Sequence, residues 1–166
     1  MSALALASRG APAKPPDPAA LAVRGVLLAT EDREIPRAAI DFAARLAKRN
    51  HAPVHVFAIA RVWGTSFGFP NPGLYPTKKE WDTQRENVDR AVKLLKRRGV
   101  ETEGHVIGTR AAAKRIVRAA QAYGCDAIVM GADEERGRIV GDLMWSQEPY
   151  RVRRRASMPV YLIKER

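Results

Sequence analysis

The chain has little cysteine and no long apolar run, and each shortage excludes a class of protein. Cys125 is the only cysteine among 166 residues, so an internal disulfide framework is excluded and a reducing compartment is favoured. No uninterrupted apolar stretch approaches the roughly 20 residues of a membrane span. The apolar part of residues 1–20 is too short for a signal-peptide core and has no basic segment before it. We therefore expect a soluble, cytoplasmic protein with no membrane segment.

Recognisable catalytic and metal-binding patterns are also scarce. His51, His55 and His105 have no partners at zinc-ligand spacing, so we expect no metal site. The serines lack the context of a nucleophile elbow, and Cys125 precedes an apolar strand, a place typical of inert core cysteines. Carboxylates are plentiful, but no pair stands apart from surface charge. These observations argue against an enzyme, and weak ATPase activity is the one alternative left open.

Basic residues outnumber acidic ones by 29 to 18, which gives a formal net charge of +11. Cations at the end of a helix complement its dipole, and a Gly or Asn just beyond supplies a left-handed cap. Much of the excess charge lies at such expected ends: residues 48–49 before Asn50, 96–98 before Gly99, and 151–155 before Pro159. The alternative is a surface for nucleic acid or the ribosome, which no RNA-binding signature accompanies.

Short apolar runs alternate with helical periodicity, and this alternation predicts an α/β fold. Residues 1–20 are Ala/Pro-rich and aperiodic, so we expect a flexible tail before a single domain at residues 22–166. A capping box at Thr77 and Glu80 opens one helix; residues 108–109 are expected to open the next, and Gly131 to stop a buried strand. Five strands are expected, at residues 26–29, 54–59, 103–107, 128–130 and 160–163. Helical crossovers between them predict a doubly wound, Rossmann-like parallel sheet with helices on both faces.

Four segments together resemble one known family. The first is Val26 to Thr30 followed by acidic residues, and the others are residues 108–110, 126–131 and 151–160. In this order and spacing they resemble the universal stress protein family, and the resemblance covers residues 23–164. It implies a sheet of order 3-2-1-4-5 and a homodimer paired through the last strand, from Val160 to Ile163. It also implies that ATP is bound in some members.

The resemblance places a candidate nucleotide site after the first and fourth strands. Nucleotide-binding members carry spaced glycines and a Gly-Ser or Gly-Thr pair after this fourth strand, where backbone amides approach phosphate. Here Glu134 stands in place of the second glycine, and Ser146-Gln147 stands where the pair is expected, so the phosphate loop is degenerate. The candidate contacts for ATP or another adenine nucleotide are Thr30, Glu31, Met130, Gly131, Gly137, Gly141, Ser146 and Gln147.

Several of these residues also have a structural interpretation. Ser146 is a natural N-cap for the last helix, and Asp32 is one for the first. Glu134 and Glu148 would place negative charge beside a phosphate, at a cost of ~1 kcal/mol each in partly solvated surroundings. Glu148 also complements the positive end of its own helix. A bound nucleotide and an empty site therefore remain alternatives.

A Gly/Pro-rich insert at residues 61–76 contains four aromatic residues and one charge. Long loops of this kind are often functional, so Trp63, Phe67 and Phe69 are expected either to anchor a lid or protein partner or to pack on the sheet. Three functions follow as hypotheses. The first is a non-enzymatic stress-response regulator that senses a nucleotide. The second is a nucleotide-free adaptor that uses the insert, and the third is a basic factor associated with nucleic acid or the ribosome.

Overall fold

Five strands and four helices alternate along the chain in a computed structural model that describes residues 22–62, 75–132 and 148–164. All strand pairs are parallel, and the sheet order is β3-β2-β1-β4-β5. This confirms the doubly wound sheet and the order 3-2-1-4-5. The elements are β1 (Val26–Glu31), α1 (Arg37–Asn50), β2 (Val54–Arg61), α2 (Lys78–Arg97), β3 (Thr102–Thr109), α3 (Ala112–Ala122), β4 (Ala127–Ala132), α4 (Glu148–Arg155) and β5 (Val160–Lys164).

The sheet separates two apolar cores because side chains along a strand point alternately to its two faces. Val26 and Leu28 of β1 are buried with the apolar sides of α1 and α2. Leu27 and Ala29, the residues between and after them, are buried with α3 and α4. We call these the α1/α2 face and the α3/α4 face. Both sides of β1 are covered, which is why its residues form a continuous apolar run.

The helix caps agree with the sequence-based expectations at α2 and differ at the end of α1. Thr77 and Glu80 form the predicted capping box at the start of α2, and Gly99 is left-handed after the end of that helix. Asn50 was expected to be the left-handed cap of α1, but it is the last helical residue and His51 adopts the left-handed conformation instead. The Asn50 side chain is otherwise engaged, since its Oδ1 accepts a hydrogen bond from the Val23 amide. Its amide group donates to the Leu46 carbonyl.

Strands β3 and β4 are longer than the sequence indicates. Gly108 and Thr109 were expected to open a helix, but they still pair with the last two residues of β2. Gly131 was expected to stop its strand, but it pairs with Ile163 and the strand continues to Ala132. In both places a neighbouring strand prolongs the ladder beyond the apolar run. The local sequence alone does not contain that information.

The insert begins later than expected, because Arg61 belongs to β2 and the Val62 amide still donates to the Thr109 carbonyl. Trp63, Phe67 and Phe69 lie outside the described residues, so their role stays a prediction. Cys125 is buried, and burial raises the pKa of its thiol to about 12. No helix within residues 22–62, 75–132 and 148–164 is long and apolar enough to cross a membrane.

Candidate functional site

A cavity of about 480 Å³ opens at the carboxyl ends of the strands, on the α3/α4 face. Ligands of open parallel sheets bind at this edge. Strands β1 and β2 contribute their last residues. Helix α3 contributes its amino-terminal end with the two residues before it, and α4 contributes its first residue and one side. We call it the basic cavity; its lining residues are Glu31, Arg61, Arg110, Ala111, Ala112, Ala113, Lys114, Glu148, Arg151, Arg154 and Arg155.

Positive charge predominates in the basic cavity, with six basic side chains against two carboxylates. The buried Glu31 carboxylate forms an ion pair with Arg61, 3.5 Å from Nε to Oε1. The remaining basic side chains, apart from Arg151, are exposed at the cavity and form no ion pair with any other described residue: Arg110, Lys114, Arg154 and Arg155. Four like charges that have no ion-pair partner in the part of the chain that the structure describes attract an anion.

Glu148 links the two helices that border the basic cavity. Its carboxylate accepts a hydrogen bond from the Ala113 amide in the first turn of α3. It also lies 3.4 Å from Nη1 of Arg151, one turn along its own helix. Helix α3 has Ala111 at its N-cap and no side-chain cap of its own. As the sequence indicated, Glu148 stands in the first turn of α4. The structure adds that its carboxylate also binds the amino end of α3.

The described candidate residues divide between the two faces of the sheet. Glu31 lines the basic cavity, and Met130 is part of the core beneath it, 2% exposed. Thr30 and Gly131 are the neighbours of Glu31 and Met130 along β1 and β4, so they lie on the opposite, α1/α2 face of the sheet. The Thr30 hydroxyl donates to the Arg33 carbonyl, and Gly131 packs against the ring of Pro36 on the α1/α2 face.

The rest of the predicted phosphate loop lies outside the described residues. This applies to Glu134, Gly137, Gly141, Ser146 and Gln147. Their predicted roles, including the N-cap at Ser146, therefore stay predictions. The described part of the site ends at Ala132 and resumes at Glu148.

Asp32 follows β1 but does not cap α1, as the sequence suggested it could. The N-cap of α1 is Pro36, without a side-chain cap. Asp32 is instead in the left-handed conformation, with φ 49°. Burial, and then the nearby Glu80, raise the pKa of its carboxyl, while Arg61 opposes the rise. Two carboxyl groups thus stand at the end of β1: that of Glu31, which is buried, and that of Asp32, which is more exposed.

The basic side chains of α3 were not predicted from the sequence as part of a site, and those of α4 were assigned to the helix end. A usable signal was nevertheless present at α3. Arg110 and Lys114 stand at the amino end of that helix, where cations oppose the dipole rather than complement it. Cations in such a place do not stabilise the helix, so helix stability does not account for them.

The sequence matches the family model described as universal stress protein family over residues 23–164. No curated protein sequence matches it significantly. A solved structure of a universal stress protein family member from Burkholderia pseudomallei is 23% identical, with a TM-score of 0.62, over 84% of this chain and 95% of that one.

Two further solved structures contain nucleotides. The universal stress protein from Archaeoglobus fulgidus in complex with dAMP is 21% identical, with a TM-score of 0.62, over 87% of this chain and 100% of that one. A universal stress protein in complex with cAMP is 20% identical, with a TM-score of 0.63, over 87% of this chain and 98% of that one. At these identities the likeness establishes the fold alone.

Proposed function

The chain belongs to the universal stress protein family, and from this premise we propose that it is a cytoplasmic, non-enzymatic regulator that binds an adenine nucleotide in the basic cavity. The observation that carries the proposal is the cluster of six basic side chains around a cavity at the carboxyl edge of the sheet. This edge is the usual ligand site of the fold.

The size and charge of the basic cavity suit a nucleotide. Its volume of about 480 Å³ lies within the roughly 300–1,000 Å³ typical of small-molecule sites. Arg110, Arg154 and Arg155 provide planar guanidinium groups, which bind phosphate oxygens in pairs. Phosphate would thus be held by side chains of α3 and α4, which compensates for the degenerate glycine pattern after β4.

The choice of adenine rests on relatives, since family members with this fold have been solved with dAMP and with cAMP. Both ligands carry a phosphate on an adenosine-type group. Glu31 lines the same cavity and offers a carboxylate for ribose hydroxyls. Its ion pair with Arg61 fixes that carboxylate in place before a ligand arrives.

Calorimetric titration with ATP, AMP and adenosine tests this proposal. If the basic cavity recognises phosphate, affinity should fall in the order ATP, AMP, adenosine, and the ATP affinity should weaken with added salt. Equal affinity for adenosine and ATP would contradict phosphate recognition. Absence of binding by all three would reject the nucleotide and favour an adaptor without a ligand.

The non-enzymatic part of the proposal is supported by the state of the nucleophiles. Cys125 is buried and its thiol pKa is about 12, so it is protonated at neutral pH. Within the part of the chain that the structure describes, no serine stands beside a histidine base. Release of ADP during long incubation with ATP, lost on substitution of a cavity residue, would show an ATPase instead.

A nucleic acid is the second candidate, because exposed arginines at one edge would also attract a polyanion. The two candidates differ in how binding depends on salt. A protein that contacts several phosphates of RNA shows a steep, linear decline of log K with log salt, while one nucleotide gives a shallow one. A steep slope with RNA and no saturable binding of ATP would favour the nucleic acid.

We also propose a homodimer through β5. This strand is at the edge of the sheet and pairs only with β4 among the described strands. Leu162 and Ile163 are partly exposed there, and an unpaired edge is a template for a second strand. Leu162→Lys is expected to give a monomer in light scattering, with Lys93→Glu on α2 as a control that stays dimeric. A dimer that persists in Leu162→Lys would place the interface elsewhere.

A further inference from the structure

A second group of ligating side chains lies on the α3/α4 face, far from the basic cavity. His55 is near the start of β2, directly opposite Glu103 of β3, and His105 is two residues further along β3. One ligand atom from each of these three residues lies within 4.8 Å of the other two. His55 and Arg61, at the two ends of β2, are about 20 Å apart at the rise of a strand.

The two imidazoles are held side by side under one aromatic ring. Tyr123, at the end of α3, stacks on His105 with ring centroids 4.5 Å apart and on His55 with centroids 4.8 Å apart. The imidazole planes differ by 21°, and their centroids are 5.8 Å apart. One phenol ring therefore contacts both imidazoles and holds them nearly parallel, so little side-chain freedom remains to be lost when they bind a ligand.

Each imidazole also has a nitrogen without a hydrogen-bond partner. Among the described residues, Nδ1 of His55 and Nε2 of His105 are shielded from solvent and form no hydrogen bond. The Glu103 carboxylate is 3.9 Å from that His105 nitrogen, too far for a hydrogen bond. Buried polar atoms are normally satisfied, so two unpaired nitrogens beside a carboxylate indicate a missing partner that accepts lone pairs.

We propose that His55, Glu103 and His105 form a binding site for a divalent first-row transition metal, namely zinc. Two histidines and one carboxylate are a ligand set that zinc uses, with open positions left for water. Two nitrogens bound to one zinc ion at about 2.0–2.1 Å would be about 3.4 Å apart. The side chain of Glu103 is 72% exposed and free to rotate into place.

The sequence did not predict this site, because its three histidines lack zinc-ligand spacing. The ligands become neighbours only through the parallel register of β2 and β3. A bound ion would join the edge strand β3 to β2, next to the end of α3. The site is independent of the nucleotide proposal, since none of its residues lines the basic cavity.

Zinc titration of the tag-free full-length protein, followed by calorimetry, tests the inference. The wild type should bind a single zinc ion per chain, and Glu103→Gln and His105→Gln should each weaken binding by about tenfold or more. Glu103→Gln changes an exposed side chain, so it should leave the fold intact, as a thermal melt without zinc will verify. His51→Asn is the matched control, because His51 is the exposed left-handed cap of α1 and Asn tolerates that conformation.

Cobalt provides a readout that a purely structural role would not change. Cobalt bound by His55, Glu103 and His105 should give visible d–d bands without the near-ultraviolet charge-transfer band of a thiolate. These bands should disappear in His105→Gln and persist in His51→Asn. The inference is overturned if the wild type shows no saturable zinc binding, or if Glu103→Gln and His105→Gln bind zinc as the wild type does.

Discussion

The two faces of the sheet differ in how their helices are held. Helices α1 and α2 have 14 and 20 residues and cover one apolar core. Helix α3 has 11 residues, the described α4 has eight, and charged side chains surround the cavity at their amino ends. A smaller cavity, of about 380 Å³, opens on the α1/α2 face at the start of α2, and its lining has two carboxylates against one basic side chain. A site for an anion is therefore to be sought on the α3/α4 face.

One helix on each face shows a different kind of capping. Helix α2 carries a local capping box, in which Thr77 and Glu80 bond to each other's backbone amides. Helix α3 depends on Glu148, which is 35 residues away and belongs to α4. A local cap stabilises one helix, while a cap from another element also fixes how two helices lie together. The geometry of the basic cavity thus depends on Glu148.

The largest expected effects on stability, of similar size, are those at Gly131 and Glu148. Gly131 lies on the α1/α2 face, which indicates packing rather than phosphate contact. A Cβ at this position would lie 2.5 Å from Cγ of Pro36. Gly131→Ala should lower the free energy of unfolding by ~1–3 kcal/mol through overpacking. Pro36→Ala removes the opposing ring atoms, so the double variant should recover part of that loss.

Urea unfolding of the wild type, both single variants and the double variant measures this coupling. A coupling of at least ~0.5 kcal/mol between the two positions would support the packing explanation. Unchanged stability in Gly131→Ala, together with weaker ATP binding, would instead assign the glycine to the phosphate site. That outcome would break the division between the faces.

Much of the fold was predictable because its signals are local. The capping box at Thr77 and the apolar run of β4 are contained in a few adjacent residues. The ends of β3 and β4 were not predictable, since Gly108 and Gly131 remain in strands only through pairing with β2 and β5. The basic cavity was not predictable either, because four separate elements contribute to it.

The next prediction concerns Glu148 and separates its charge from its hydrogen bond. Glu148→Ala leaves the Ala113 amide without its acceptor and should cost ~1–3 kcal/mol of stability, since the carboxylate is buried. Glu148→Gln retains an acceptor and removes a negative charge from the basic cavity, so it should cost less and bind ATP more tightly. Thermal melts and calorimetry of both variants check this.

A contrary result at Glu148 would be informative. If Glu148→Gln binds ATP more weakly than the wild type, the carboxylate itself contacts the ligand or holds Arg151 in its binding position. The basic cavity would then need its acidic residues as well as its basic ones.

The smallest expected effect is that of the local cap on α2. Thr77→Ala should lower stability by ~1 kcal/mol, as loss of an N-cap does. It should leave ATP affinity unchanged, because Thr77 does not line the basic cavity. Thr77→Ser preserves the hydroxyl and serves as the control. A change in nucleotide affinity in Thr77→Ala alone would show that the two faces are coupled.

The most direct test of the account is ATP calorimetry on two doubly charge-reversed proteins. Arg110→Glu with Arg154→Glu changes the basic cavity, and Lys93→Glu with Lys96→Glu makes the same change in net charge on α2. The account predicts that the cavity variant binds ATP at least about tenfold more weakly, since each lost contact is worth ~1 kcal/mol, while the α2 variant binds like the wild type. Equal loss in both variants would mean that only net charge matters, and unchanged binding in the cavity variant would place the nucleotide elsewhere.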